Sequence, residues 1–355
     1  MSNSSDTDQK WLDCEFLAKP DAKYLLDGLE VPHTNISLPF TISKVDGDRL
    51  WVGEAWINKD EVVSVEDAAA FYTEYLQKHP HDAWGYNSRG LAWDAIGNCD
   101  NAITDFTEAI RLDSRYAIAY FNRGNGWAEK GELDNAIRDF NEAIRLSPEY
   151  VRAYFNRAVT WFEIGEFDKA IKDYIEVIRL DPQDAVAYNN RGVIWKHKGE
   201  ADKAIKDYTK AIRLDPEYVY AYSNRGFFWN EQGKYDNAMN DYAEAIRLDP
   251  QDAVACNYLA RFLATCLEIE YRDGKRAVDL GQKSCELSEW KETDFIDTLA
   301  AAYAESGDFD QALKYQKMCI EKLGGNTDAH GYEERLKLYR AGRPYREIPS
   351  EVSSN

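Results

Sequence analysis

The pattern of apolar and polar residues repeats every 34 positions through the middle of the chain. A tryptophan, a glycine and an alanine each recur at this interval without a slip. The tryptophans are Trp93, Trp127, Trp161, Trp195 and Trp229. A fixed period of this length is typical of an array in which each repeat is one supersecondary unit. We therefore predict five tandem units over 83–252, the second of which is 117–150.

Each unit has the pattern of two helices joined by a turn. Within 117–150, two sets of apolar and small residues recur at helical spacing. They are Tyr120, Gly124 and Trp127 in the first helix, and Ala136, Phe140 and Ala143 in the second. Gly131 supplies the turn, and Pro148 stops the second helix. Because one such pair cannot bury its apolar face alone, we predict that the pairs stack on their neighbours.

This spacing resembles the tetratricopeptide repeat, a family of 34-residue helix–turn–helix units. The resemblance rests on seven residues, and the five units are near-perfect copies of this pattern. The residues are Tyr120, Gly124, Trp127, Ala136, Phe140, Ala143 and Pro148. It implies a mainly α fold, a right-handed superhelical solenoid whose first helices line a concave groove. Asparagine ladders are known in the grooves of some members.

The segments beside the five units depart from the pattern. Two divergent units are predicted over 253–323, and a closing helix over 327–345. Residues 67–82 have the pattern of a lone second helix, which would cover the first unit. Atypical units at both ends are what a solenoid needs to cover its apolar surface.

The N-terminal part alternates like β-strands. We predict a disordered tail over 1–13 and a small β barrel over 14–66, with hairpin turns at Asp46-Gly47-Asp48 and Gly53-Glu54. The run from Val45 to Val63 is similar to bacterial Src-homology-3-like barrels. Ala55-Trp56-Ile57 stands where Gly-Trp-Val is usual in that family.

Composition and charge narrow the function. The chain has 43 Lys and Arg against 63 Asp and Glu, a net charge of −20, which argues against a nucleic-acid partner. The chain has 44% hydrophobic residues, too many for a disordered chain, and 30% charged residues, too many for a membrane protein. Neither a signal peptide nor a membrane span is predicted, so the default location is cytoplasmic, and a processed secreted form stays open. Six cysteines without a CxxC pair indicate small buried side chains in a reducing compartment.

No motif for catalysis or for a cofactor is present. The sequence lacks a phosphate-binding loop, a nucleophile elbow and an HExxH motif. We predict no enzyme activity, no catalytic residue, no cofactor and no metal. His79 and His81 form an HxH in which a weak metal site is the alternative to a solvated linker.

One asparagine recurs in each of four units on the side of the first helix opposite the core. The members are Asn122, Asn156, Asn190 and Asn224. With Gly124 at zero, 100° per residue places Asn122 at about 160°. A carboxamide both donates and accepts, so such a column could bind the main chain of an extended peptide. The alternatives are a solvated polar face and hydrogen bonds between repeats. Neighbouring columns add Asn125, Arg152 and Tyr220 to the predicted groove.

An arginine follows each asparagine, and an aspartate recurs in each second helix. The predicted pairs are Arg123 with Asp139, Arg157 with Asp173, Arg191 with Asp207, and Arg225 with Asp241, and the first unit has Arg89 and Asp105. Leu259 and Leu280 replace both charges in the sixth unit, and Leu299 and Tyr315 replace them in the seventh. Charges that vanish together indicate a partly buried ion pair, because a lone buried charge is costly. The alternative is a groove lined with anion-binding arginines.

These observations predict a non-catalytic interaction scaffold that binds an extended peptide or protein segment in the concave groove of the array. The alternative is a structural or regulatory subunit. Its groove would be filled by a second copy of the chain, making a homo-oligomer, or by its own barrel.

Overall fold

The computed structural model describes residues 15–20, 22, 24–26, 29–31, 40–46, 48–52, 56–323 and 330–347. These residues form a mainly α protein with small sheets near the N-terminus. They fall into two compact units, of which unit 1 ends at Leu180 and unit 2 begins at Asp181. Within the described residues, no helix has the length and apolar character needed to cross a membrane.

Unit 1 begins with eight short strands among its described residues. They are β1 Glu15–Ala18, β2 Tyr24–Leu26, β3 Leu29–Val31, β4 Phe40–Thr41, β5 Lys44–Asp46, β6 Arg49–Trp51, β7 Trp56–Asn58 and β8 Val62–Ser64. One sheet has the order β4-β1-β8, and the other has the order β3-β2-β7-β6-β5. Neighbouring strands are antiparallel, with Leu17 opposite Val63 and Leu50 opposite Ile57.

The predicted Src-homology-3-like barrel is not supported. Among the strands that the structure describes, neither sheet closes on itself, and none of the pairings joins one sheet to the other. Instead, both sheets contribute to one apolar core that includes Phe16, Ile42, Leu50 and Ile57. The predicted tail and the turn residues Gly47 and Gly53-Glu54 lie outside the described residues.

The helices of unit 1 are one single helix and three hairpins. The single helix is α1 Val65–Lys78, and the hairpins are α2 Ala83–Ala95 with α3 Cys99–Leu112, α4 Ala117–Glu129 with α5 Leu133–Leu146, and α6 Val151–Ile164 with α7 Phe167–Leu180. Gly131 turns α4 into α5 with φ of 75°, a conformation that favours glycine. A Cβ on Gly124 would lie 2.7 Å from the Phe140 ring, so this glycine lets the two helices approach closely.

Helix α1 joins the strands to the hairpins. It begins at Val65, two residues before the predicted start, and Ser64 caps it by accepting a hydrogen bond from the Asp67 amide at 3.3 Å. The Tyr72 hydroxyl donates to the Ala18 carbonyl of β1. Leu17 of β1 lies in the same apolar cluster as Tyr72, together with residues of α2 and α3. The strands therefore share a core with the first hairpin.

The described residues of unit 2 form four hairpins and a closing helix. The hairpins are α8 Ala185–His197 with α9 Ala201–Leu214, α10 Val219–Glu231 with α11 Tyr235–Leu248, α12 Ala253–Thr265 with α13 Gly274–Leu287, and α14 Thr293–Glu305 with α15 Phe309–Lys322. The closing helix α16 is His330–Arg340, and 343–347 continue without regular structure. The α12–α13 connection is longer than the others and includes a 3-10 turn at Ile269–Tyr271.

Candidate functional site

In each unit, the candidate site is the surface carried by the first helices of the hairpins, which we call the first-helix face of that unit. These helices are α2, α4 and α6 in unit 1, and α8, α10, α12 and α14 in unit 2. Within each unit, first helices of neighbouring hairpins contact one another. With about 100° of rotation per residue, the second, sixth and ninth positions of a repeat fall on one side of the helix. These positions hold the predicted groove residues.

In unit 1, the asparagine column is engaged in hydrogen bonds between repeats. Asn122 Nδ2 donates to Asn87 Oδ1 at 3.0 Å, and Asn156 Nδ2 donates to Asn125 Oδ1 at 2.7 Å. Asn122 is only 3% exposed. This burial corrects the prediction that Asn122 faces an open groove. The helical wheel considered one helix alone, whereas the first helix of the preceding repeat covers this side.

In unit 2, the same column forms a similar chain of amides. Asn224 Nδ2 donates to Asn189 Oδ1 at 3.0 Å, and Asn189 Nδ2 donates to Asn190 Oδ1 at 3.2 Å. Asn190 and Asn224 are half-buried, as is Asn156 in unit 1. These three side chains therefore bond within the array and still reach its surface.

The second position of each repeat is the most exposed part of the first-helix face. In unit 2 this column is apolar, with Val186 41%, Tyr220 51% and Val254 37% exposed. In unit 1 it carries Arg152, which is exposed and places its guanidinium 5.3 Å from the centre of the Phe121 ring. Large apolar side chains in solvent, in register on adjacent helices, are typical of an interaction surface.

A lysine that the sequence analysis missed contacts an aromatic ring of the same face. The Lys196 ammonium sits 3.9 Å from the centre of the Phe227 ring at a ninth position. Burial lowers the pKa of Lys196, and the nearby Glu231 opposes this effect. The first-helix face of repeats 4 and 5, which begin at Ala185 and Val219, is thus apolar and amide-rich, and Lys196 adds a partly desolvated cation to it.

The repeated arginines lie inside the hairpins. Each guanidinium donates two hydrogen bonds to the aspartate 16 residues later, as Arg123 does to Asp139 at 2.7 and 2.8 Å. Equivalent contacts of 2.6 to 2.8 Å join Arg89 with Asp105, Arg157 with Asp173, Arg191 with Asp207, and Arg225 with Asp241. All five aspartates are buried. Burial raises the pKa of Asp173, and the Arg157 guanidinium opposes this shift.

Further contacts fix these arginines in place. Arg123 Nη1 donates to Thr107 in the second helix of the preceding repeat at 3.1 Å, and Arg225 does the same to Thr209 at 3.2 Å. The Arg123 guanidinium also lies 5.7 Å from the centre of the Tyr120 ring. A guanidinium that is paired, stacked and bridged between repeats is held as a structural element, with little freedom to bind a ligand.

Two groups of potential metal ligands have ordinary contacts. The His79 ring stacks on Tyr75 with ring centres 4.4 Å apart. Ligand atoms of Asp94, Cys99 and Glu129 lie within 4.8 Å of one another, and the Cys99 thiol donates to Glu129 at 3.3 Å. Desolvation raises the pKa of Cys99, and Glu129 raises it further. These contacts favour the protonated thiol, whereas a metal ligand would need the thiolate.

Comparison with known proteins agrees with this architecture. Sequence models described as tetratricopeptide repeat match residues 185–218 and 219–252, and also 88–151 and 128–185. Residues 88–252 are tetratricopeptide repeats. No curated protein matches the chain.

Of the similar solved structures, two have a TM-score above 0.5 and share the fold. A tetratricopeptide repeat protein from Parabacteroides merdae is 19% identical, with a TM-score of 0.56 over 76% of this chain and 98% of that chain. Yeast Tom70 is 17% identical, with a TM-score of 0.54 over 78% of this chain and 59% of that chain. MamA is 26% identical over 46% of this chain and 96% of that chain, with a TM-score of 0.44.

The two hairpins after the matched repeats, which we call repeats 6 and 7, replace the ion pair by apolar contacts. In repeat 6, Leu259 and Leu280 lie in one apolar cluster. In repeat 7, Leu299 and Tyr315 lie in another. The hairpins of this chain therefore have either a charged or an apolar pair at this position.

Repeats 6 and 7 carry charges in their first helices that the sequence analysis missed. Arg261 occupies the ninth position of repeat 6, Asp297 is buried in α14, and Glu305 ends that helix. Arg335 of α16 donates to Asp297 at 2.8 Å. One signal was available in the sequence: Arg261 breaks a ninth-position column that is uncharged in the five regular repeats.

Proposed function

We propose that this protein is a non-catalytic interaction protein that binds an extended segment of another protein on its first-helix face. The observation that carries the proposal is the exposed column of Val186, Tyr220 and Val254 in unit 2. When a partner covers exposed apolar side chains on neighbouring helices, the burial of this apolar surface stabilises the complex.

The amides beside this column complement it. Asn190 and Asn224 are half-buried and hydrogen-bonded within the array, which fixes their orientation. Because a carboxamide has two N–H donors and one acceptor oxygen, Asn224 can also contact a peptide main chain. Lys196 adds a cation for an acidic side chain of the ligand. We therefore propose a ligand with apolar side chains spaced along an extended backbone.

The regular ion pairs do not enter this proposal as ligand contacts. We propose that they hold the hairpins together and bridge neighbouring repeats, because both charges of each pair are already engaged.

An observation in unit 1 supports a second proposal for that end of the chain. There, Trp84 and Leu91 occupy the second and ninth positions of the first repeat, and both lie in a cluster with Leu17 and Val63 of the strands. We propose that the chain's own N-terminal segment covers this end of the first-helix face.

In a further alternative, a second copy of the chain fills the face. Light scattering across a concentration series tests this alternative, and a mass that rises with concentration would favour it.

The test uses peptides selected from a displayed random library on the full chain. The variant carries Val186→Asp, Tyr220→Asp and Val254→Asp. A matched control carries Leu267→Asp, Ile269→Asp and Leu287→Asp, which are 37%, 76% and 37% exposed and lie outside the first helices. Both variants add three negative charges. We expect at least about tenfold weaker peptide binding by the first variant and unchanged binding by the control. Equal loss in both, or no loss in the first, would contradict the proposal.

A further inference from the structure

The segment after the closing helix lies on the first-helix face of repeats 6 and 7. Gly342, with φ of 65°, reverses the chain after α16. The Arg343 amide then donates to the Leu338 carbonyl at 3.0 Å. Residues 344–347 are half-buried and belong to no helix or strand. This short segment, which we call the C-terminal strap, meets α12 and α14 in the manner of a bound peptide.

The strap donates hydrogen bonds to main-chain carbonyls at the end of α12, one from its backbone and one from a side chain. The Glu347 amide donates to the Thr265 carbonyl at 3.0 Å, and Arg346 Nη1 donates to the Ala264 carbonyl at 3.2 Å. Thr265 is the last residue of α12, so these carbonyls have no partner within their own helix. In the regular repeats a glycine turn follows the first helix, whereas the longer α12–α13 connection leaves this helix end accessible.

Two charged side chains of the strap complete the recognition. Arg261 donates to both oxygens of Glu347, at 3.1 and 2.6 Å. Arg346 Nη2 lies 2.5 Å from Glu305 Oε2. The two pairs have opposite polarity, so an Arg-Glu sequence fits and the reverse order places like charges together. The carboxylate of Glu347 raises the pKa of Arg261 against the effect of burial.

An aromatic side chain anchors the strap. Tyr345 packs in a cluster with Ala300 and Ala304 of α14 and with Tyr339 of α16. The Arg335 guanidinium lies 5.3 Å from the centre of the Tyr345 ring. Main-chain pairing, one aromatic anchor and two oriented charge pairs are the elements by which proteins recognise short extended peptides.

We propose that residues 345–347 are an intrachain ligand, and that Arg261, Thr265 and Glu305 form a binding site for an extended peptide containing aromatic-Arg-Glu. The strap holds this site closed until an equivalent segment of a partner replaces it. The proposal deepens the proposed function, because it adds a second peptide site on the first-helix face and states its ligand chemistry.

The test measures binding in trans. The probe is a fluorescent, C-terminally amidated peptide of sequence Ala-Gly-Arg-Pro-Tyr-Arg-Glu, and its control exchanges the last two residues. The full chain with Glu347→Arg faces Arg261 with a like charge, which releases the strap. We expect this variant to bind the probe at least about tenfold more tightly than the wild-type chain, and to bind the control peptide at least tenfold more weakly than the probe.

Further variants keep the outcome decisive. Glu347→Gln serves as a second test if the charge reversal disturbs folding. It preserves the shape of the strap, and we expect it to bind the probe with intermediate affinity. Adding Arg261→Glu to Glu347→Arg restores opposite charges and should abolish probe binding. Equal probe affinity for the wild-type chain and both folded strap variants would overturn the proposal. The triple aspartate variant of Val186, Tyr220 and Val254, made in the Glu347→Arg chain, should retain probe binding, which separates this site from the apolar column.

Discussion

The regular repeats and repeats 6 and 7 satisfy their charges in different ways. In the regular repeats, an arginine and an aspartate 16 residues apart meet inside one hairpin, as Arg191 and Asp207 do. Repeats 6 and 7 have apolar residues at these places. Their own charges, Arg261 and Asp297, find partners 86 and 38 residues away in the C-terminal part of the chain.

The difference indicates which repeats depend on charged partners from distant parts of the chain. A hairpin that contains both the arginine and the aspartate neutralises its own buried charges. Such a hairpin does not need charged partners from elsewhere in the chain. Repeats 6 and 7 depend on α16 and on the strap, because removing either leaves a partly buried charge without its partner. The following predictions test this difference, from the largest expected effect to the smallest.

The largest loss is expected at Asp297. This carboxylate is buried and accepts hydrogen bonds from Arg335 at 2.8 Å and from Gln316 at 2.9 Å. Asp297→Ala leaves Arg335 without its partner and should lower the free energy of unfolding by about 3–5 kcal/mol. Urea unfolding of the full chain measures this. A loss below about 1 kcal/mol would show that repeat 7 does not need the pair.

A smaller loss is expected for the regular pairs. Arg191→Ala and Asp207→Ala should each destabilise by about 1–3 kcal/mol, because each leaves one charge partly buried. The two side chains donate and accept two hydrogen bonds between them, so the double variant should lose less than the sum. The measurement is a double-mutant cycle by urea unfolding, and strictly additive losses would show that the two residues are not coupled.

Replacing a regular ion pair by an apolar pair like that of repeat 6 should have less effect. Leu259 and Leu280 share an apolar cluster at the equivalent positions. Arg191→Leu combined with Asp207→Leu removes both charges together, so the double variant should stay within about 1 kcal/mol of the wild-type chain. Thermal melting compares it with Arg191→Leu alone. If the double variant is the less stable of the two, the apolar pair cannot substitute for the ion pair.

The smallest effect is expected for the exposed pairs between neighbouring turns of the second helices. Arg247 Nη2 lies 2.7 Å from Glu244, with the two side chains 65% and 34% exposed. Glu244→Ala should leave the free energy of unfolding nearly unchanged, because solvent screens the pair. The same melts in low and high salt check this, and a loss as large as that of Asp207→Ala would contradict the comparison.

Most of the helical hairpins could be predicted from the sequence, because the residues that define them recur locally and at a fixed period. The 34-residue period defined the hairpins, and the joint loss of arginine and aspartate in repeats 6 and 7 suggested their pairing. In the structure, these side chains lie within hydrogen-bond distance. The apolar column was partly anticipated, since Tyr220 was among the predicted groove residues and is 51% exposed.

The remaining features depend on contacts that a local pattern does not encode. Asn122 was predicted on an open face, but Asn87 of the neighbouring first helix covers it. The strand alternation was visible, but it did not specify that β1 pairs with β4 and β8 in a sheet separate from β5–β7. The contact between Arg261 and Glu347 spans 86 residues and lies outside any repeat.

Hydrogen–deuterium exchange of the full chain, with and without Glu347→Arg, tests most directly whether repeats 6 and 7 depend on the strap. The account predicts faster exchange of the backbone amides in α12 and α14, where the strap contacts Thr265 and Glu305. Exchange in α8 and α9, whose Arg191–Asp207 pair is local, should not change. Unchanged exchange in α12 and α14, or an equal increase in α8 and α9, would contradict the account.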